Sequence, residues 1–393
     1  MKLRIELLAL LALTFSCAGQ SFQSDATETE KVRCERLDFS AVDAAIAEFL
    51  MEQGLPGAGS VIVDRECGSV HLSSYGAFEP DRVYLLGSSS KVVSVGVMME
   101  LADRGLLDLD APLGGYVSAW PGPGKPELSV AQLVSNSSGL VGLVDNPIYA
   151  PYLCQYRSGG TLRDCAEAIY SADDASTRIA PDAEFHYGGG QWQLAGGVAE
   201  EVANESWSQL VSELYGARCG ATSIGYTNPF SLGGGVASAL RYPDSFQGDV
   251  STLPNTQNPN VEGGLYANVA DYGKLLLMHL RGGLCDGTRA LSEQAALRMR
   301  EDRIGSVYGG TTAGMSGRTT GASAFSGYGL GWWVDREHPG VFADPGLYGA
   351  FPWLDVERGY AAFVALEADS GEVGGALYAR IKPLVDAAFE QAR

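Results

Sequence analysis

Six lysines occur in the 393 residues, and one of them, Lys91, lies three positions after a serine in the run Gly87-Ser88-Ser89-Ser90-Lys91. On a helix, residues three or four apart share a face, and side chains lean toward the N-terminus. Lys91 therefore points back at Ser88. Ser89 and Ser90 lie off that face, and Ser94 lies in the direction from which Lys91 leans away. A hydroxyl becomes a nucleophile when a neighbouring base takes its proton. A free lysine has a pKa of ~10.4, so it must shed its charge to serve as that base; apolar burial and a helix N-terminus both push that way. No acidic residue between Arg82 and Met99 opposes them along the chain. A neutral Lys91 is thus expected to act as general base toward Ser88, with the Ser88 amide available to an oxyanion and Gly87 allowing close backbone approach. The same spacing also suits a capped helix whose lysine snorkels to solvent, so partners elsewhere must decide.

Those residues need elements to hold them. From Leu37 to Gln53 the apolar positions fall at helical spacing. Gly57–Val63 and Ser69–Phe78 are strand-like runs joined as a hairpin, and Val83–Leu86 leads into the serine run, with a helix following to Ala102. Ser129–Val134 and Ala195–Val202 read as helices, and residues 263–281 form another, starting near Ala267 or Asn268. Gly, Asn and Pro crowd Thr227–Asn260, and Gly309–Gly327 is a second loop; long loops inside compact enzymes border substrate clefts. Strand signals return at Tyr328–Val334, Val341–Ala343, Ala350–Asp355 and Tyr360–Glu367, before an amphipathic helix over Gly375–Gln391. Strands at both ends with helices between predict an α/β (α+β) architecture: one antiparallel sheet built from both chain ends, flanked by helices, with an inserted helical region.

Several segments, in fixed order from Leu37 to Phe389, resemble the serine β-lactamase/penicillin-binding-protein-like superfamily, in its class C-related branch of esterases and DD-peptidases. GSSSK, after the hairpin PGAGSVIVDRECGSVHLSSYGAF, resembles the nucleophile motif. GLLDLDAPLGGYVSAWP followed by LSVAQLVSNSSGL, then FHYGGGQWQLAGGVAEEV, EGGLYANVADYGKLL and YGLGWWV, resemble successive family segments. The resemblance implies a β-lactamase/transpeptidase-like fold, an acyl-enzyme on Ser88, and no cofactor or metal. Tyr187 matches the second-motif tyrosine, whose phenol could relay the proton to the leaving group and activate the deacylating water. That motif usually ends in Asn two residues later; here Gly189 stands there, and an amide that would orient substrate or lysine is missing. Ser135-Asn136-Ser137 occupies a structural position rather than a second motif.

The third motif normally reads Lys-Thr-Gly or His-x-Gly. ADPGLYGAFPWLD aligns best, placing Asp344-Pro345-Gly346 there and making the Leu347 amide the second oxyanion donor. His338-Pro339-Gly340 is a literal His-x-Gly but lies in a turn without the trailing pattern. In relatives that handle penicillin or D-Ala-D-Ala, a cation and a hydroxyl hold the substrate carboxylate at this place. An Asp would repel it by about 4 kcal/mol at ~4 Å and an effective dielectric of ~20. Neutral or cationic esters or amides are therefore expected rather than carboxylate-bearing β-lactams. The other readings are a DD-peptidase or β-lactamase proper, and a catalytically impaired envelope binding protein of the same fold. A Ser-His-Asp triad finds no GxSxG elbow here. His71 and His279 read as structural, and Asp108 and Asp110 lack the spacing of a calcium loop.

Composition bounds the rest. With 47 Asp+Glu against 27 Lys+Arg, a formal net charge of −20 and no basic run, nucleic acid is excluded as a partner. The substrate is expected to be a small molecule or peptide-like, and the chain a monomer. Residues 1–17 (MKLRIELLALLALTFSC) read as a signal peptide, of lipoprotein type if Cys17 is lipidated, and 18–33 as a polar tether to a single domain over 34–393. Within it, 34–87 and 262–393 supply the sheet region and 88–261 the helical region. Export to the periplasm, to the outer membrane through an N-terminal lipid, or out of the cell is expected. Beyond Cys17 the chain has an even set, Cys34, Cys67, Cys154, Cys165, Cys219 and Cys285, without CxxC spacing, which suggests disulfides rather than zinc. Cys154 and Cys165 bracket a loop-like stretch; Cys34 with Cys67 and Cys219 with Cys285 complete one of several pairings.

Overall fold

The computed structural model describes residues 28–122, 124–231, 241–307 and 325–393. The leader with Cys17 and parts of both expected loops lie outside these residues. The strands are β1 (Gly57–Asp64), β2 (Gly68–Gly76), β3 (Val83–Leu85), β4 (Gly225–Tyr226), β5 (Leu265–Asn268), β6 (Leu284–Cys285), β7 (Thr288–Arg289), β8 (Gly327–Tyr328), β9 (Trp333–Val334), β10 (Val341–Ala343), β11 (Phe351–Asp355) and β12 (Tyr360–Leu366). The helices are α1 (Glu28–Glu35), α2 (Ser40–Gln53), α3 (Lys91–Asp103), α4 (Val130–Val134), α5 (Leu162–Ser171), α6 (Gly190–Ala203), α7 (Trp207–Val211), α8 (Val269–Leu280), α9 (Glu293–Arg298), α10 (Arg303–Val307) and α11 (Gly371–Gln391). Among the described residues, no helix is long and apolar enough to cross a membrane.

The two ends of the chain do build one antiparallel sheet, in the order β2-β1-β12-β11-β10-β9-β8. β1 lies in register with β12 through Ser60↔Val364 and Val61↔Phe363. Both are apolar without alternation because helices cover both faces. Ile62, Ala362 and Val364 share a core cluster with Phe39 and Ile46 of the α2 side and Leu377 and Ile381 of α11. Val61, Ala361, Phe363 and Ala365 face the other way, against Tyr272 and Leu276 of α8 and the helical region. The ring centroids of Tyr272 and Phe363 stand 4.3 Å apart, and the Tyr272 hydroxyl donates to the Ser89 carbonyl at 2.9 Å. The sheet thereby reaches the serine run through α8.

Three differences from the expected elements have physical causes. The polar stretch read as a tether enters the described residues as helix α1. It is pinned by a Cys34–Cys67 disulfide and by Arg33, which donates to both carboxylate oxygens of Asp64 at 2.8 and 2.9 Å. The helix expected over 263–281 is preceded by a strand: β5 pairs with β3 and β4, and Asn268 caps α8 by accepting from the Asp271 amide. Tyr328–Val334 is two short strands rather than one. The remaining cysteines pair as Cys154–Cys165 and Cys219–Cys285.

Candidate active site

α3 is apolar around its whole circumference and buried from Lys91 to Leu101, so its N-terminus ends inside the protein. The three serines before it divide sharply. Ser89 donates to the Asp344 carbonyl at 2.6 Å; Ser90 donates to the Gly87 carbonyl at 2.6 Å and accepts from the Leu265 amide at 2.9 Å. Both are fully buried, whereas Ser88 is half-exposed. Lys91 is fully buried, and its Nζ donates to Ser88 Oγ at 3.1 Å. The one serine with an open side is thus the one the lysine touches.

Gly87 turns this corner at φ +52°, and a Cβ there would come within 2.8 Å of the Leu347 nitrogen. A Cβ on Gly346 would meet the Leu86 carbonyl oxygen at 1.9 Å. Two glycines are what allow the segment after β10 to lie against the serine turn. Among the described residues, the amides of Ser88 and Leu347 donate to no acceptor. Two free N–H groups beside one accessible hydroxyl can receive an oxyanion.

Tyr187 lies in the turn before α6, packed between Phe185, Tyr328 and Trp333. Lys91 Nζ stands 4.5 Å from its ring centroid. Burial raises the phenol above its ordinary pKa, against the Lys91 charge. Its hydroxyl makes no well-formed hydrogen bond among the described residues, although Ser88 is near enough to favour the phenolate. Asn136 secures the turn: its Oδ1 accepts from the Gly188 amide and from Trp192 Nε1, each at 2.9 Å.

Gly189 has φ +89°, and a Cβ there would sit 3.0 Å from the Val141 oxygen and the Leu143 nitrogen. The asparagine that the resemblance led one to expect has no room. The group that meets the lysine comes from elsewhere. Glu262, which was not singled out in the sequence, has a buried carboxylate whose Oε2 accepts from the Gly189 amide at 2.9 Å and stands 3.3 Å from Lys91 Nζ. Lys91 also donates to the Glu262 carbonyl at 3.1 Å. This changes the expected charge of the lysine. Burial works to lower its pKa, but Tyr187, Glu262 and Asp344 outweigh burial and hold the ammonium above its ordinary range.

Asp344 requires a second correction. It is fully buried, and its Oδ2 accepts from the Val92 amide at 3.0 Å, so the carboxyl sits under the N-terminus of α3 and not in the cleft. Burial pushes its pKa well up, against the Val92 amide and the Lys91 charge. It cannot repel a substrate carboxylate as expected. It also offers none the cation that relatives present at this place. His338, the alternative third-motif residue, is exposed and bonded to Asp335. His71 pairs with Asp43, and His279 is buried.

A cavity of ≈ 720 Å³ is lined by Leu153, Tyr156, Arg157 and Phe230. Its lining includes none of Ser88, Lys91 or Tyr187. A separate cavity of ≈ 580 Å³, lined by Phe78, Arg82, Tyr242 and Glu367, contains none of Ser88, Lys91 or Tyr187.

Residues 42–384 match the family model described as Beta-lactamase. Penicillin-binding protein 4 of Amycolatopsis lactamdurans is 26% identical over 350 residues, covering 81% of this chain and 82% of the relative. Among solved structures, EstCE1, a hydrolase with promiscuous acyltransferase activity, superposes with a TM-score of 0.67 at 17% identity, covering 91% of this chain and 99% of that one. Simvastatin synthase of Aspergillus terreus, as the LovD9 mutant, superposes with a TM-score of 0.66 at 17% identity, covering 89% and 99%. A buried lysine against an accessible serine at a helix N-terminus, on this sheet and over this length of match, has one reading: the chain belongs to the Beta-lactamase family of serine hydrolases.

Proposed function

We propose that the protein hydrolyses an ester or amide through an acyl-enzyme on Ser88. The observation that carries this is the 3.1 Å contact between the half-exposed Ser88 hydroxyl and the buried Lys91 amine, beside the free amides of Ser88 and Leu347. Ser88 Oγ attacks the carbonyl carbon while Lys91, once neutral, takes its proton, and the two amides hold the oxyanion. Tyr187, beside both, passes that proton to the leaving group and later draws one from the deacylating water. The substrate is a neutral or cationic ester or amide rather than a carboxylate-bearing one. Position 344 supplies no cation for a carboxylate. Three disulfides support a place outside the reducing cytoplasm, reached through the leader and, if Cys17 is lipidated, held at a membrane.

The test is a mass shift on Ser88 after incubation with an activated neutral ester or a fluorophosphonate, with the Ser88→Ala variant alongside. Adduct on the native chain and loss of turnover in the variant are expected. No adduct, with an unchanged rate in the variant, would overturn the proposal. The 26% identity to a penicillin-binding protein motivates a second reading, action on β-lactams; turnover of a chromogenic cephalosporin at a rate matching the ester would favour it.

A further inference from the structure

A lysine held as an ammonium cannot accept a proton from Ser88, and no solvent path to Lys91 is needed if the proton has somewhere nearer to go. We propose that Glu262 is the positioning and proton-holding partner of Lys91: its carboxylate takes the ammonium proton, and so frees the amine for Ser88. This rests on the reading of Ser88 as nucleophile.

The geometry is specific. Lys91 and Glu262 have side chains only 1% and 3% exposed, with Nζ and Oε2 3.3 Å apart. Oε2 is fixed by the Gly189 amide, in the loop where a Cβ on Gly188 would come within 2.5 Å of that same oxygen. The glycines after Tyr187 therefore make the space that the carboxylate fills. Glu262 Oε1 is buried with no hydrogen-bond partner, which leaves the ionised form short of the donors a buried carboxylate needs. Moving one proton replaces two buried charges with two neutral groups, so the burial cost of both charges is removed for the moment of attack.

The groups around the pair are few. Tyr187 and Asp344 face Lys91 from the α6 turn and from the end of β10. Tyr156, Tyr187 and Tyr328 feel the charge of Glu262. The step balances within the site. The Nζ–H bond breaks and an O–H bond forms on Glu262, leaving a lone pair on the amine. A turn of one staggered position about Cε–Nζ aims that lone pair at Ser88. As Ser88 Oγ bonds to the carbonyl carbon, its proton moves to Nζ and the carbonyl π electrons move to oxygen. When the tetrahedral species collapses, the bond to the leaving group breaks and that group leaves with the proton from Nζ, passed on through the Tyr187 hydroxyl. Glu262 keeps its own proton, so the pair holds one proton before and after acylation.

A pair that starts with one proton and ends acylation with one needs no alkaline solution to become active. For the native protein, kcat/KM for an activated neutral ester is expected to stay level from about pH 6 to about pH 9. A rise of about tenfold per pH unit across that range would mean that Lys91 loses its proton to solvent, and would overturn the inference without any variant. In Glu262→Gln the shape remains but the proton acceptor is gone. A loss of about a hundredfold at pH 7 is expected, recovering to within about tenfold near pH 9.5. An equal loss at every pH, the signature of a merely structural role, or no loss at all, would also overturn it. Fluorophosphonate labelling of Ser88 separates the two claims: an unlabelled native protein defeats the nucleophile itself, whereas a labelled one with an unshifted Glu262→Gln profile defeats only the role of Glu262.

Discussion

Among the described residues two lysines are buried, and they are held in opposite ways. Lys125 spends its ammonium on the carbonyls of Ile169, Tyr170 and Ala172 at 2.7–3.3 Å, with Asp174 Oδ2 at 3.2 Å. Asp174 is itself held by the Tyr152 hydroxyl and by Arg178. Every donor of Lys125 meets an oxygen that cannot react, and burial shifts its pKa down in spite of Asp174. Lys91 has a carboxylate at nearly the same distance, but one of its donors meets a half-exposed hydroxyl and its pKa is shifted up. The shift of a lysine therefore does not by itself reveal chemistry. What sets Lys91 apart is the reactive partner it touches and the open space beyond that partner.

Paired substitutions test this contrast. Lys91→Met should cut ester acylation by about 10²–10⁴-fold in the folded fraction, because the base is gone. Lys125→Met should lower stability by about 3–5 kcal/mol in denaturant unfolding, since it takes the ammonium from three backbone carbonyls and from Asp174, while the rate per folded molecule stays unchanged. Equal losses of rate in both variants would break the distinction.

His279 adds a third buried base. Burial, with Arg300 nearby, pushes its pKa from 6.5 down to about 3, and its ring packs edge-on to Trp332 at 5.4 Å. The unfolded chain takes up this proton first, so the contribution of His279 to stability declines as pH falls from 6.5 toward 3. The loss should reach a few kcal/mol, on the order of 1.4 kcal/mol per pKa unit, and thermal melting across that range should show a shallower acid decline in His279→Phe. An identical decline would place the acid sensitivity elsewhere. The smallest effect is expected from Asp344→Asn, which keeps an acceptor for the Val92 amide. A stability change of about 1 kcal/mol or less is expected, with no change in the ratio of rates for a neutral and an anionic ester. A gain for the anionic ester would return Asp344 to the cleft.

Much of the fold was legible because its signals are local. The β1–β2 hairpin, the closing helix and the strands near the C-terminus follow from residue patterns, and their register follows from apolar faces that helices must cover. The pairing of Cys154 with Cys165 is local in the same sense, across a separation of 11 residues. The helix within 263–281 does start next to Asn268, but the strand before it was missed, because the short β5 exists only through its partners β3 and β4. Asp344 comes to lie beside the serine turn, but its carboxyl does not face the cleft. A backbone alignment does not say to which side a carboxyl turns, and the unpaired Val92 amide at the start of α3 decided that.

By itself the sequence determined the contact between Ser88 and Lys91, because three residues of helix suffice to bring them together, and it determined that Ser89 and Ser90 turn elsewhere. Only the tertiary structure decided the charge on the lysine. Glu262 lies 171 residues further along the chain and meets Lys91 because the turn at Gly188 and Gly189 leaves room for its carboxylate. Electrostatics act through space in a medium of low dielectric, so Tyr187, Glu262 and Asp344, remote in sequence but gathered around Lys91, together outweigh the burial that the apolar helix imposes.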